Sequence, residues 1–182
     1  MRRQKLGAFL AVALSAALVL ATVAMAQTIR GTQGDDTLDG TAGPDKIIAK
    51  KGDDTVNGLG DADRLSGGRG NDVLNGGDGD DKAWAGAGND EVNGDLGNDA
   101  LHGKAGADDL DGGDGNDFLN GGKDVDTIDG GAGDDTVFSR GDGNKADNIT
   151  CGDGLNDTVK ADKNDVVAGD CENVDRPGKP TP

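Results

Sequence analysis

Residues 67–102 read GGRGNDVLN, GGDGDDKAW, AGAGNDEVN and GDLGNDALH, four consecutive nonapeptides with an aspartate at the same place in each. The register continues in both directions without a slip, so that twelve aspartates recur every nine residues. They are Asp36, Asp45, Asp54, Asp63, Asp72, Asp81, Asp90, Asp99, Asp108, Asp117, Asp126 and Asp135. One apolar residue follows each aspartate two positions later. A period kept over twelve units is the signature of a repeat architecture.

Each nonapeptide combines a glycine-rich segment with a short apolar one. The first six positions end in the aspartate and predict a tight turn that exposes backbone carbonyls. The last three positions place one inward apolar residue between two outward residues, which predicts a short strand. Two such units can make one coil of two strands and two turns. The ninth position favours this pairing, because it is always Asp or Asn in odd-numbered units and varied in even-numbered units. The predicted structural period is therefore two nonapeptides.

Stacked coils bring like aspartates into register at the usual strand separation of about 4.8 Å. One ladder then starts at Asp36 and the other at Asp45, with six carboxylates in each. Two carboxylates at this spacing repel by about 1 kcal/mol in bulk water and by about 3 to 4 kcal/mol at an effective dielectric of 20. Such a stack needs cations between its turns. Carboxylate and carbonyl oxygens, without thiolate or imidazole, favour calcium and its flexible oxygen shell over magnesium.

The units resemble GGxGxDxUx, the known nonapeptide of hemolysin-type (RTX) calcium-binding repeats. The resemblance covers residues 31–138. It implies an all-β fold, a parallel β-roll or β-solenoid of about six 18-residue coils, in which the twelve repeat aspartates and turn carbonyls hold Ca²⁺ between equivalent turns. Five intervals on each ladder set a ceiling of about ten interior ions. Weaker or irregular calcium sites are expected at the units that depart from the pattern. The departures are Pro44, Lys50, Lys51, Asp61, Ala62 and Asp124.

Residues 1–26 form a separate segment, in which Arg2, Arg3 and Lys5 precede an apolar run that ends in small residues. This arrangement predicts a secretory signal peptide cleaved before Gln27, with an uncleaved membrane anchor as the alternative. The cleaved chain has 15 Lys and Arg against 35 Asp and Glu, a formal charge of −20. We expect such a chain to be extracellular, to bind calcium ions, and to be repelled by nucleic acid and anionic membranes.

After Phe138 the nine-residue register loosens, although aspartate followed two residues later by an apolar residue persists. Residues 27–138 are therefore predicted to be the β-roll and residues 139–175 a divergent cap. Cys151 and Cys171 are the only cysteines, and in a secreted chain they predict one disulfide. The segment from ITCGDG to DCENV also resembles the C-terminal portion of secreted bacterial proteins with these repeats. Residues 176–182 are predicted to be a disordered tail.

No catalytic constellation is visible in the sequence, so a non-enzymatic protein is predicted. His102 is the only histidine, and no serine or cysteine forms a set with a base. The leading hypothesis is a secreted calcium-binding protein that folds when calcium binds between its turns. A second is an extracellular adhesin or matrix component that uses Trp84 and Phe138, which share an outward column with Ile48, to contact a surface or protein partner. A third is an accessory module of an enzyme.

Overall fold

The structure, a computed structural model, describes residues 25–141 and 145–177. These residues contain seventeen β-strands and no helix. Accordingly, no helix in the described part of the chain is long and apolar enough to cross a bilayer. The predicted signal peptide up to residue 24, and the predicted tail from residue 178, lie outside the described residues.

The strands alternate between two parallel sheets, so that consecutive strands never pair with each other. The nine-stranded sheet contains β1 (Thr28–Arg30), β3 (Lys46–Lys51), β5 (Arg64–Arg69), β7 (Lys82–Ala87), β9 (Ala100–Ala105), β11 (Phe118–Lys123), β13 (Thr136–Phe138), β15 (Thr158–Lys160) and β17 (Asn173–Asp175). The eight-stranded sheet contains β2 (Thr37–Asp39), β4 (Thr55–Gly60), β6 (Val73–Asp78), β8 (Glu91–Leu96), β10 (Asp109–Asp111), β12 (Thr127–Asp129), β14 (Asn148–Thr150) and β16 (Val166–Val167).

The strand register confirms the coil of two nonapeptides. Leu65 pairs with Ile47 on one side and with Ala83 on the other, and each partner is two nonapeptides away in the sequence. The fold is therefore the predicted parallel β-solenoid, but it has about eight coils instead of about six. The difference arises because pairing continues after the nonapeptides end, where Asn148 pairs with Thr127 across an interval longer than two nonapeptides.

Strands in the interior coils are longer than the sequence suggested. Eight of them, such as Val73–Asp78, contain six residues and continue into the first three positions of the next unit. The prediction of six-residue turns between three-residue strands is wrong for these coils. The reason is visible at Gly77, whose φ of 103° bends the chain while it remains paired with Asp95 of the next coil. Backbone hydrogen bonds thus continue through the bend.

The core is built mainly from one apolar side chain per strand, stacked along the solenoid axis, and β3 and β7 each bury an alanine in addition. Its largest fully buried members are Ile47, Val56, Leu65, Leu74, Val92, Leu101, Leu110, Leu119, Ile128, Val137, Ile149 and Val159. The predicted disulfide is present near the C-terminus, where Cys151 and Cys171 lie 5.2 Å apart between Cα atoms. Closing a loop of about 20 residues stabilises the last coils by roughly 3 kcal/mol.

Candidate metal centre

The repeat aspartates lie in two rows, one along each edge of the roll. We call these rows the Asp36 ladder and the Asp45 ladder, after their first members. The backbone N–H of each aspartate donates to Oδ1 of the aspartate one coil further on. Asp63 donates to Asp81 over 2.6 Å, and Asp81 donates to Asp99 over 2.7 Å. All twelve predicted residues are members of one ladder or the other, so the structure brings them together in register.

Both ladders extend beyond the twelve predicted residues. Asp126 donates its N–H to Asp147, which in turn donates to Asp165. On the other edge Asp135 donates to Asp157, and Asp157 donates to a glutamate, Glu172. The first three additions follow the spacing of aspartate and apolar residue seen in the sequence. Glu172 has the same spacing to Val174, but a pattern defined by aspartate does not include it.

The second carboxylate oxygen, Oδ2, is buried and has no hydrogen-bond partner in most interior turns. This holds for Asp54, Asp63, Asp72, Asp81, Asp90, Asp99, Asp108, Asp117, Asp135 and Asp157. A buried carboxylate oxygen without a partner is strongly unfavourable. Two rows of such oxygens, with neither thiolate nor imidazole among them, fit a hard divalent cation bound between turns.

The first rung of each ladder differs from the interior rungs. Oδ2 of Asp36 accepts hydrogen bonds from the backbone N–H and hydroxyl of Thr32, at 2.5 and 3.0 Å. Oδ2 of Asp45 accepts the equivalent pair from Thr41, at 2.6 and 2.9 Å. The two threonines stand where later units often have glycine. Their hydrogen bonds give the Oδ2 atoms at the start of each ladder a partner within the chain.

Glycine at the first position of a unit leaves space for converging oxygens. At Gly94, Oδ2 of Asp99 and the carbonyl oxygen of Gly112 both lie within 2.4 Å of the point that a Cβ atom would occupy. Gly58 has the same environment, with Asp63 as the carboxylate. Each such turn therefore offers a carboxylate oxygen and a carbonyl oxygen from the next coil at one place, which is the donor combination that calcium prefers.

The two ladders differ at this first position. On the Asp45 ladder it is glycine in all six nonapeptides, from Gly40 to Gly130. On the Asp36 ladder, Ala49 and Ala85 replace it, and both methyl groups are fully buried. In the glycine turns, the position of such a methyl group is next to Oδ2 of the aspartate five residues later. The Asp36 ladder thus has less space for an ion at two of its turns.

Burial dominates the electrostatics of the ladder carboxyls. It raises the pKa of most interior aspartates, the neighbouring carboxylates add to the rise, and the N–H donated to Oδ1 opposes it. The pKa is raised to about 7 at Asp63, Asp99, Asp108 and Asp135. It is raised to about 6 at Asp72, Asp81 and Asp117. Without a cation, ionisation of the ladders near neutral pH opposes folding.

A second, exposed ladder, which was not predicted from the sequence, lies outside each row of repeat aspartates. It uses the residue just before the aspartate, where Asn71 N–H donates to Asp53 Oδ1 at 2.7 Å and Asn89 N–H donates to Asn71 Oδ1 at 2.8 Å. Asn98 and Asp80 form the same contact on the other edge. The frequent Asn and Asp at position five of the unit were the available signal. These side chains hold neighbouring turns together from the solvent side.

Six non-glycine residues among the described residues adopt positive φ, and three of them are departures noted in the sequence. Lys50, Asp61 and Asp124 have φ values of 95°, 65° and 80°, in a region where side chains are disfavoured. Each such residue costs of order 1 to 3 kcal/mol unless its surroundings compensate. Leu59, Asp95 and Lys104 adopt the same conformation, so weaker calcium sites at the departing units remain a prediction.

Other potential metal or catalytic groups are engaged in structural contacts. Cys151 and Cys171 lie near Asp170, but the two sulfurs are bonded to each other and supply no thiolate ligand. His102 stacks on Trp84, with ring centroids 5.9 Å apart and planes 10° apart. His102 is half-buried on the outer face of β9.

Comparison with known proteins agrees with the geometry of the ladders. The sequence model of the RTX calcium-binding nonapeptide repeat matches four times, over residues 30–65, 39–74, 66–101 and 102–137. No curated protein matches the chain. The four matches together cover more than half of the 182 residues and span the interior of both ladders. The chain therefore belongs to the family of RTX calcium-binding repeat proteins.

Proposed function

We propose that this protein is a secreted, non-enzymatic calcium-binding protein that folds when calcium binds between its stacked turns. The observation that carries the proposal is the row of buried Oδ2 atoms without partners on each edge of the roll. Because the repeat aspartates from Asp45 to Asp135 already accept a backbone N–H at Oδ1, the Oδ2 atoms of the interior turns and the turn carbonyls are the oxygens available to the ion. Bound calcium supplies positive charge between carboxylates that otherwise repel one another.

One prediction from the sequence and one feature of the structure support an extracellular location. The predicted signal peptide precedes the first strand, and the disulfide between Cys151 and Cys171 is typical of oxidising compartments. Extracellular calcium modules commonly bind with dissociation constants of about 0.1 to 1 mM. Affinity in this range leaves the chain unfolded in low-calcium cytoplasm and folds it outside the cell. We propose that secretion and folding are coupled in this way.

Calorimetric titration of the mature chain with calcium tests the proposal. We expect several ions per chain, up to a ceiling of about ten interior sites, with positive cooperativity because each ion orders the turns that bind the next. Magnesium at the same concentration is the matched control and should bind far more weakly, since it requires a stricter octahedral shell. Binding of no calcium, or equal binding of both ions, contradicts the proposal.

Substitution Gly94→Ala is expected to lower the calcium stoichiometry by about one ion, since its methyl group would meet the carboxylate and carbonyl oxygens that converge there. Gly34→Ala is the matched control, because a methyl group at Gly34 has nothing within 4 Å. The reciprocal change Ala85→Gly should strengthen binding on the Asp36 ladder. Calorimetry of the three variants checks these expectations, and an unchanged stoichiometry in Gly94→Ala contradicts them.

A further inference from the structure

The strands of the two sheets carry opposite charges. From β1 to β15, the strands of the nine-stranded sheet contain ten Lys and Arg residues and no Asp or Glu. The strands of the eight-stranded sheet contain seven Asp and Glu residues and no Lys or Arg. We call their outer surfaces the basic face and the acidic face. The net charge of −17 conceals this separation.

Most charges on both faces are exposed, whereas Lys50 and Lys160 are half-buried and Lys50 Nζ donates to the carbonyl oxygen of Gly31. The basic residues are Arg30, Lys46, Lys50, Lys51, Arg64, Arg69, Lys82, Lys104, Lys123 and Lys160. The acidic residues, all exposed, are Asp39, Asp78, Glu91, Asp95, Asp109, Asp111 and Asp129. The ion pairs within the described residues join Arg140 to Asp175 and Lys145 to Asp124, so they use no charge from either face.

Each face also has an apolar feature. On the basic face, Ser66 stands in register between Ile48 and Trp84. Because serine is the smallest of the three, a cavity of about 370 Å³ opens beside the Trp84 ring. On the sheet with the acidic face, Leu59 and Leu96 remain 53% and 50% exposed. One sheet therefore has a recess, and the other has protruding leucines.

We propose that the acidic face of one copy of this chain docks on the basic face of a second copy, with an exposed leucine seated against Trp84. Both faces are parallel sheets with the same strand separation of about 4.8 Å, so the charged residues of one face can align with those of the other. Because the interface joins two different patches, each copy keeps one free face and the assembly grows as an open chain.

Charge complementarity selects this occupant over other anions. The acidic face of the same molecule has the opposite charge to the basic face and the same strand spacing. The inference rests on the proposed function, because only a folded roll presents two faces, and because bound calcium offsets the charge of −20 that would keep mature copies apart. Contacts between exposed charges are screened within about 8 Å at physiological ionic strength and within about 3 Å at 1 M salt.

Sedimentation velocity of the full mature chain in calcium tests the proposal. We expect the sedimentation coefficient to increase with protein concentration at about 0.15 M salt and to return to the monomer value at about 1 M. Arg64→Gln/Lys82→Gln removes charge from the basic face, and Glu91→Gln/Asp109→Asn removes it from the acidic face. Each double variant should sediment as a monomer.

An equal mixture of the two double variants gives the sharpest result. One retains its acidic face and the other its basic face, so the mixture should form a dimer that cannot grow further. The control for the basic-face variant is Lys145→Gln/Lys163→Gln, which also removes two positive charges but lies outside both faces. It should assemble like the unchanged chain.

Circular dichroism of the same samples separates the possible failures. A monomer at all concentrations with full strand signal overturns the docking inference and leaves the proposed function intact. Absence of strand signal in calcium overturns the proposed function. Binding of a soluble acidic polysaccharide to the basic face of a chain that stays monomeric assigns that face to a polyanion and overturns docking between copies.

Discussion

Complete removal of calcium is expected to abolish the strand signal of the mature chain in circular dichroism and its cooperative thermal transition. Adjacent ladder carboxylates repel by about 3 to 4 kcal/mol per pair at an effective dielectric of 20. The total stability of a domain is only about 5 to 15 kcal/mol. With many such pairs and ten buried oxygens without partners, the ionised roll cannot remain folded alone. Returning calcium should restore the signal.

The control for this experiment is magnesium, added in place of calcium after chelation. Magnesium supplies the same charge but suits the loop oxygens poorly, so it should restore much less structure. The disulfide between Cys151 and Cys171 is to be kept oxidised throughout, because its loss would weaken the last coils independently. An unchanged strand signal and melting temperature in excess chelator would show that the ladders need no cation.

The repeat itself made most of this fold predictable. Asp72 and Leu74, with their equivalents every nine residues, define both a turn and the inward side of a strand. The coil of two nonapeptides followed from the difference between odd and even units, and the register confirms it. The disulfide followed from having two cysteines only. These features depend on local spacing, which a sequence displays directly.

The number of coils was less predictable because it depends on pairing between segments with irregular spacing. Thr136 pairs with Thr158 across an interval longer than two nonapeptides, and Thr158 pairs with Asn173 across a shorter one. The strand hydrogen bonds tolerate insertions and deletions in the turns as long as the inward residue is apolar. A search for a fixed period stops at Phe138, whereas the backbone ladder continues.

The separation of charge between the faces was hidden by the predicted strand length. Lys46, Arg64 and Lys82 already shared position seven of even units. Lys50 and Lys104, however, fell in segments predicted as turns. The structure places both within six-residue strands of the nine-stranded sheet. The repulsion of nucleic acid and anionic membranes was inferred from the net charge and remains a prediction. It does not take into account the local positive charge of the basic face.

The same carboxylates give the roll opposite responses to pH with and without calcium. The pKa values of ladder carboxyls such as Asp81 and Asp99, about 6 and about 7, lie above the unfolded value of 3.8. The protonated groups therefore stabilise the calcium-free fold below pH 4, and this contribution is lost as the pH rises through 6 to 7. Calcium instead requires deprotonated carboxylates, so acid releases the ion.

We therefore expect acidification from about pH 8 to pH 5 to restore strand signal and a thermal transition to the chain in chelator, and to lower the melting temperature of the chain in calcium. Each pKa unit corresponds to about 1.4 kcal/mol per group, so several ladder carboxyls together shift the free energy of unfolding by several kcal/mol.

The variant Asp63→Asn/Asp81→Asn/Asp99→Asn should flatten the pH dependence of folding both in chelator and in calcium. Asp78→Asn/Asp95→Asn/Asp109→Asn, with the same change in charge on exposed residues, should leave most of the dependence in place. Curves of the same sign in both conditions would mean that buried ladder carboxyls do not control folding.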